Sequence, residues 1–240
     1  MENLFIRNPF LKFGIYASLS LVLLTIITFG FAMIAIPPAG PYCPGDCMEY
    51  PFKELLAYYP RDYYWMYLAV FQLFAFIIFT VSNHFIANFK KKLYSALSAA
   101  FALISTTVLL ITYFTQFAII PISMMKGETE GIALLTQYNG HGLFIALEEL
   151  GYITMSISLL FLAFVFTSSE KFGKIIRYLL LSQFLLNLIS FIAYSVIFGI
   201  DRDYRFEVAS ITIDWLSIII AGILISLSYK HQLKTIKSNP

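Results

Sequence analysis

The chain has 240 residues, of which 59% are hydrophobic and 12% are charged, and its net charge is +2. An average soluble domain carries about 25% charged residues, so this much apolar surface indicates a protein that lies in lipid. Because the net charge is small, no nucleic-acid partner is predicted, and the lipid bilayer is the expected surrounding.

Six apolar segments along the chain are long enough to cross a membrane, since about 20 residues of helix span the hydrocarbon core. In chain order they are 13–36, 63–87, 93–120, 142–167, 175–200 and 208–229. Their apolar runs are continuous and do not alternate with the period of two that strands require. The sequence therefore predicts an all-α fold, a single domain over 1–240 built as an integral bundle of six transmembrane helices.

The first apolar segment follows a charged start, as a signal peptide does. Its run over 13–36 is 24 residues long, whereas the apolar region of a signal peptide has about 7–15 residues. We therefore expect this segment to be retained as a membrane helix that ends before Pro37 and Pro38.

The start of the second segment is rich in aromatic side chains. They are Tyr63, Tyr64, Trp65 and Tyr67. Tyrosine and tryptophan are enriched where a membrane helix meets the headgroups, so these residues are predicted to form part of an aromatic belt at the outer interface.

The basic residues are distributed unevenly between the connections. Eleven of the 16 Lys and Arg residues lie in the two tails and in the second and fourth connections, and five lie in the first, third and fifth. Cytoplasmic loops of membrane proteins carry the excess of Lys and Arg. The distribution predicts a plasma-membrane protein with both termini cytoplasmic and with the first, third and fifth connections outside.

The first connection contains the sequence Cys43-Pro-Gly-Asp-Cys47. Two cysteines in an oxidising compartment most often form a structural disulfide, so Cys43 and Cys47 are predicted to pair. Their spacing differs from the C-x-x-C of thioredoxin-like dithiols. A zinc site would need His141 and acids such as Asp46 or Glu49, which is a weak signal. No metal and no cofactor is predicted.

Three acidic residues fall inside the predicted spans: Glu148, Glu149 and Asp214. An Asp at the centre of a membrane helix costs about 2.5–3.5 kcal/mol on insertion scales, so such residues are usually functional. At a rise of 1.5 Å per residue, Glu148 and Asp214 both lie about 9 Å from the outer ends of their segments. Glu149 lies on a stripe of small and polar residues and is predicted to face the bundle, with Glu148 turned towards an adjacent helix or Tyr152.

Polar side chains of the neighbouring segments fall in the same layer. Gln116 lies about 6 Å and Tyr194 about 9 Å from the outer ends of the third and fifth segments. Polar faces of membrane helices turn towards each other, so we predict a polar cavity that opens outward between the third, fourth, fifth and sixth segments. The predicted ligand-binding residues are Glu149, Asp214, Gln116, Tyr194, Glu148 and Tyr152.

Three functions are consistent with such a layer. The first is binding or transport of a small molecule or lipid through the outward-facing cavity. The second is an intramembrane enzyme that acts on a lipid or isoprenoid, with Glu149 and Asp214 as acid and base. The third is an accessory subunit without a ligand, in which these groups only hold the helices together. The sequence contains no motif of a known enzyme class that would decide between them.

Overall fold

The computed structural model describes residues 2–35 and 38–238, with the side chains of 8–35 and 38–236. Over these residues the fold is helical and contains no strand. Six helices are long and apolar enough to cross a membrane, which confirms the prediction of a multi-pass helical protein. Ile36 and Pro37, at the predicted end of the first segment, lie outside the described residues.

The six long helices are α1 (Glu2–Ile34), α2 (Tyr64–Ile86), α3 (Lys92–Ala118), α4 (Leu143–Ala163), α5 (Gly173–Phe198) and α6 (Tyr204–Ser238). The predicted and observed helix bounds differ most, where they bear on the site, at the start of α6. The sequence predicts this start at residue 208, whereas the helix begins at Tyr204. Arg205 and Glu207 lower the apolar character of its first turn. Glu207 is nevertheless only 7% exposed, so this turn belongs to the packed bundle.

The first and third connections pack against each other over one end of the bundle. The first contains the 3-10 turns Gly40–Tyr42, Leu55–Tyr58 and Arg61–Tyr63, and the third contains the short helix Ile132–Leu135. Phe52, Leu55, Ile132 and Tyr138 share one apolar cluster. We call this end, formed by 38–60, 126–142 and 199–203, the loop-rich end. The opposite end, which carries Lys90 to Lys92, is the lysine-rich end.

The helices form a ring of five with a sixth outside it. Helices α1, α2, α3 and α4 pack in sequence, α6 packs against both α4 and α1, and α5 lies in the groove between α4 and α6. Only 11% of the apolar part of α5 is buried, against 61% of that of α4. The interior of the bundle is therefore built by α1, α2, α3, α4 and α6.

Helices α3 and α4 approach each other closely through small residues. The Ser105 hydroxyl donates to the Gly151 carbonyl at 2.8 Å, and the Ser158 hydroxyl donates to the Ser98 carbonyl at 2.7 Å. A Cβ atom at Gly151 would lie 2.5 Å from the side chain of Leu109. Small side chains allow membrane helices to pack this tightly, and the contacts join α3 to the middle and to the lysine-rich half of α4.

Candidate functional site

A cavity of about 330 Å³ lies at the loop-rich end, between α1, α2, α4 and α6. Aromatic side chains from four helices line it: Phe29, Trp65, Phe144 and Trp215. The Trp65 and Trp215 rings lie 6.5 Å apart, and Phe29 meets Trp215 edge to face at 5.6 Å. The cavity therefore presents flat apolar surfaces from several directions.

Two tyrosines extend this aromatic surface into the bundle. The Tyr113 ring contacts Trp65 at 5.1 Å and the Tyr152 ring contacts Trp215 at 6.3 Å, as centroid distances. Their hydroxyls share a hydrogen bond of 2.7 Å. Both tyrosines are almost fully buried, so this pair packs beneath the two tryptophans, inside the bundle.

Three acidic side chains line the cavity: Asp62, Glu148 and Glu207. The Asp62 carboxylate is paired with Arg61 at 2.6 Å. Glu148 is fully buried, and neither of its carboxyl oxygens has a hydrogen-bond partner of good geometry. Its electrostatic neighbours are the Glu207 carboxyl and the Tyr113 hydroxyl. Glu148 thus places a buried carboxyl on the surface of the cavity, beside a second acid and a phenol.

The third connection is held over the cavity by two side chains. The Gln116 amide nitrogen donates to the Leu135 carbonyl at 2.7 Å, and its oxygen accepts from the Gln137 backbone nitrogen at 2.8 Å. The Tyr138 hydroxyl donates to Asp62 at 3.5 Å. Burial raises the pKa of the Tyr138 phenol, so that it keeps its proton and remains a donor.

The first connection meets α6 at Gly40. This residue has a φ of +72°, and its backbone lies so close to the Tyr204 ring that a Cβ atom would collide with it. Glycine is the residue that adopts this conformation without strain and leaves this space. The contact brings Ala39 and Tyr42 to the surface of the cavity.

Several residues that line the cavity are exposed at the surface of the bundle. Met33 of α1 and Val208 of α6 lie at the seam between these helices and are 72% and 40% exposed, and Tyr42 of the first connection is 44% exposed. The cavity is therefore bordered by hydrocarbon at the α1–α6 seam and by a tyrosine at the loop-rich end.

The predicted site residues separate into two groups. Glu148 lines the cavity, Tyr152 packs beneath it and Gln116 anchors the connection above it. Glu149 does not line the cavity: two nitrogens of the Arg202 guanidinium donate to its carboxylate, Nε at 3.1 Å. Tyr194 stacks on Phe198 within α5. Glu148, not Glu149, is therefore the acid at the cavity, because Arg202 in the fifth connection holds Glu149 at the outer side of α4.

Asp214 lies away from the cavity, between α4, α5 and α6. Its carboxylate accepts from the Gln183 amide and from Asn187 Nδ2, the latter at 2.7 Å, and Gln183 also donates to Ser156 at 2.8 Å. Because α6 begins at Tyr204, Asp214 is ten residues into its helix, about 15 Å, and not the 9 Å that the sequence suggests. Its amide partners attach α5 to the ring.

Sequence reasoning missed several cavity residues. The apolar pattern places Glu207 and Asp62 in connections and Trp65 in the aromatic belt, although Trp65 is only 8% exposed. Within that belt, Tyr64 and Tyr67 are exposed to 47% and 37%, whereas Tyr63 is buried. The available signal was the spacing of Asp62 and Trp65, three residues apart and so on one helical face.

Cys43 and Cys47 are joined by a disulfide in the first connection, and neither lines the cavity. Within the described part of the chain, no group of three or more His, Cys, Asp or Glu side chains is placed to hold a metal ion. Comparison with models of known protein families, with curated proteins and with solved structures finds no match.

Proposed function

We propose that this membrane protein binds a small molecule in the cavity at its loop-rich end, either as a binding protein or as the first step of transport. The observation that carries the proposal is Glu148, a fully buried carboxyl on the cavity surface that makes no hydrogen bond of good geometry and has a second acid, Glu207, beside it. A buried polar group without a partner costs about 1–3 kcal/mol, more when it is charged. A protein that only needs a stable bundle gains nothing from that cost, whereas a ligand with a complementary group offsets it.

The two other functions fit the structure less well. The enzyme hypothesis needs Glu149 and Asp214 at one substrate. Glu149 is instead bound to Arg202, and Asp214 is bound to Gln183 and Asn187 between α4, α5 and α6. An accessory subunit without a ligand is expected to have a packed interior. The 330 Å³ cavity is of the size that small-molecule sites have, about 300–1,000 Å³.

The loop-rich end is proposed to face the outside of the cell, and the protein to lie in the plasma membrane. Eleven of the 16 basic residues lie in the tails and in the connections at the lysine-rich end, as expected for a cytoplasmic face. The disulfide between Cys43 and Cys47 belongs to the loop-rich end, and disulfides persist in oxidising compartments.

Labelling of single cysteines tests both the cavity and its orientation. The chain has two cysteines, which are joined to each other, so an introduced thiol is the only reactive one. Thr212→Cys places it on the cavity surface, Ala57→Cys in an exposed turn of the loop-rich end, and Ser168→Cys at the lysine-rich end. Each variant is treated in intact cells with a membrane-impermeant thiosulfonate.

We expect labelling at residues 57 and 212 in intact cells, and labelling at 168 only after the membrane is opened. Labelling at 57 without labelling at 212 would show that the cavity is closed to water-soluble molecules and would end the proposal. Labelling at 168 in intact cells, with protection at 57, would reverse the orientation.

A further inference from the structure

We infer that the cavity accepts an organic cation, with an ammonium group beside Glu148 and Glu207 and a hydrocarbon portion against the aromatic rings. The inference rests on the proposed function, because it names the chemical class of the ligand of the same cavity.

The charged side chains that line the cavity are all acidic. None of the described residues that line it is Lys, Arg or His. Each of the three nearest arginines has an acidic partner: Arg61 pairs with the lining residue Asp62, Arg202 with Glu149 and Arg205 with Asp203. Glu148 and Glu207 face each other without a basic partner among the described side chains. A cationic ligand supplies the missing partner, and an anionic ligand would add to the repulsion.

The aromatic rings complement a cation of low hydration. Trp65 and Trp215 line the cavity within 6.5 Å of each other, with Phe29 edge-on to Trp215. A tryptophan face attracts an ammonium group that lies within about 6 Å of the ring, and protein sites for quaternary ammonium groups are built from such aromatic side chains. Acidic and aromatic groups therefore favour the same class of ligand.

The rest of the lining indicates an amphipathic molecule. Met33, Val208 and Ile211 give the α1–α6 side of the cavity an apolar surface, which suits a hydrocarbon chain or ring. Gln137 also lines the cavity, and its side-chain amide nitrogen makes no hydrogen bond of good geometry. It is a donor that suits a hydroxyl or carbonyl oxygen of the ligand. A neutral polyol fits poorly, because few of its hydroxyls would find a partner here.

The same ammonium chemistry has two sources. One is a free organic cation that enters from water. The other is the headgroup of an ammonium-bearing lipid that enters through the α1–α6 seam, where Met33 and Val208 are exposed. Exposed residues border the cavity both at this seam and, through Tyr42, at the loop-rich end, so the experiment includes an arm for each source.

The test compares two thiosulfonates of opposite charge at Thr212→Cys. One reagent carries a trimethylammonium group and the other a sulfonate. The labelling rate of the cationic reagent is divided by that of the anionic reagent, and this ratio at residue 212 is then divided by the same ratio measured at Ala57→Cys. An acidic cavity should raise this normalised ratio by about tenfold or more, because residue 212 lines the same cavity as Glu148 and Glu207 and neighbouring charges interact strongly in a medium of effective dielectric about 20. The purified full-length protein is used in nanodiscs of phosphatidylglycerol, which has no ammonium group.

The decisive variant is Glu148→Gln together with Glu207→Gln, because removing one carboxyl leaves the other to hold the charge. In this background the normalised ratio should fall to within about twofold of the exposed control. Asp201→Asn, which removes an exposed acid just before α6, should leave the ratio unchanged. Protection of residue 212 in the parent protein by benzyltrimethylammonium, and not by 3-phenylpropionate, gives a second reading that does not depend on folding of the double variant.

Each outcome has a separate meaning. If neither reagent labels residue 212, the cavity is inaccessible and the proposed function fails together with the inference. If both label it with the ratio found at residue 57, and benzyltrimethylammonium gives no protection, the cavity exists and the inference is overturned. A raised ratio with protection by benzyltrimethylammonium supports a cationic ligand.

The source of the cation follows from a change of lipid. If the ligand is an ammonium-bearing headgroup, nanodiscs of phosphatidylethanolamine or phosphatidylcholine should slow the labelling of residue 212 by themselves. If it is a free cation, the lipid makes no difference and benzyltrimethylammonium protects in all three.

Discussion

The tight contact between α3 and α4 predicts that Gly151→Ala destabilises the protein. Gly151 is buried opposite Leu109, and an added Cβ atom would lie 2.5 Å from both the Cγ and the Cδ2 of that leucine. Carbon atoms in good contact are about 3.5–4.0 Å apart, so the overlap exceeds about 1 Å. Leu109 is itself fully buried, so it has little space into which it can move.

The magnitude follows from two opposing effects. Overpacking of this kind costs about 1–3 kcal/mol, whereas replacing glycine by alanine within a helix returns up to about 1 kcal/mol. We expect a net loss of about 1–2 kcal/mol in the free energy of unfolding. Gly30→Ala is the matched control, because that glycine is also in a membrane helix and a Cβ atom there would contact nothing within 4 Å. It should be neutral or slightly stabilising.

Unfolding of the purified protein by a denaturing detergent in mixed micelles measures these differences. The double variant Leu109→Ala with Gly151→Ala completes a cycle, since the smaller side chain makes room for the new methyl group. It should be about 1–2 kcal/mol more stable than the sum of the single effects. The predicted collision with Leu109 is refuted if Gly151→Ala is as stable as Gly30→Ala, or if the effects of Leu109→Ala and Gly151→Ala simply add.

Three further predictions concern the polar contacts around the ring. Glu149 and Arg202 are each replaced by glutamine, singly and together, and the free energy of unfolding is measured for each variant. The double-mutant cycle should show a coupling of about 1–3 kcal/mol, because the bidentate pair is mostly shielded from solvent. Additive effects would contradict this coupling. Gln116→Ala leaves two backbone groups of the third connection unpaired, at about 1–3 kcal/mol, so hydrogen exchange should quicken over 132–139 while that of α2 stays unchanged. Asp214→Ala removes the shared acceptor of Gln183 and Asn187. Amide hydrogen exchange should then become faster in α5 alone. Faster exchange in all helices would argue against the attachment of α5 to the ring through Asp214.

The number and type of the long helices are predictable from the sequence because each apolar run carries its own signal. A run of about 20 apolar residues has no stable alternative in lipid to a helix. The start of α6 is less predictable. Arg205 and Glu207 make its first turn polar, and only the packed bundle shows that Glu207 is buried there.

The candidate site depends on contacts between residues far apart in the chain. Neighbours on a helix point about 100° apart, so either Glu148 or Glu149 faces the cavity. Arg202 decides which, since it binds Glu149 from a connection more than 50 residues away. Trp65 is similar: its position at the end of a helix is typical of an interfacial belt, but α6 brings Trp215 against it and both become buried. Neither contact has a signature in local composition.

The most direct test of the central claim uses tryptophan fluorescence, because the chain has two tryptophans and both line the cavity. We predict that the cationic quencher N-methylpyridinium reduces the emission of the purified protein in nanodiscs with a saturable dependence on concentration. Iodide, an anionic quencher, should have little effect, and the saturable quenching should be lost when Glu148 and Glu207 are both replaced by glutamine. Emission that resists both quenchers would contradict a ligand-accessible cavity at this end of the bundle.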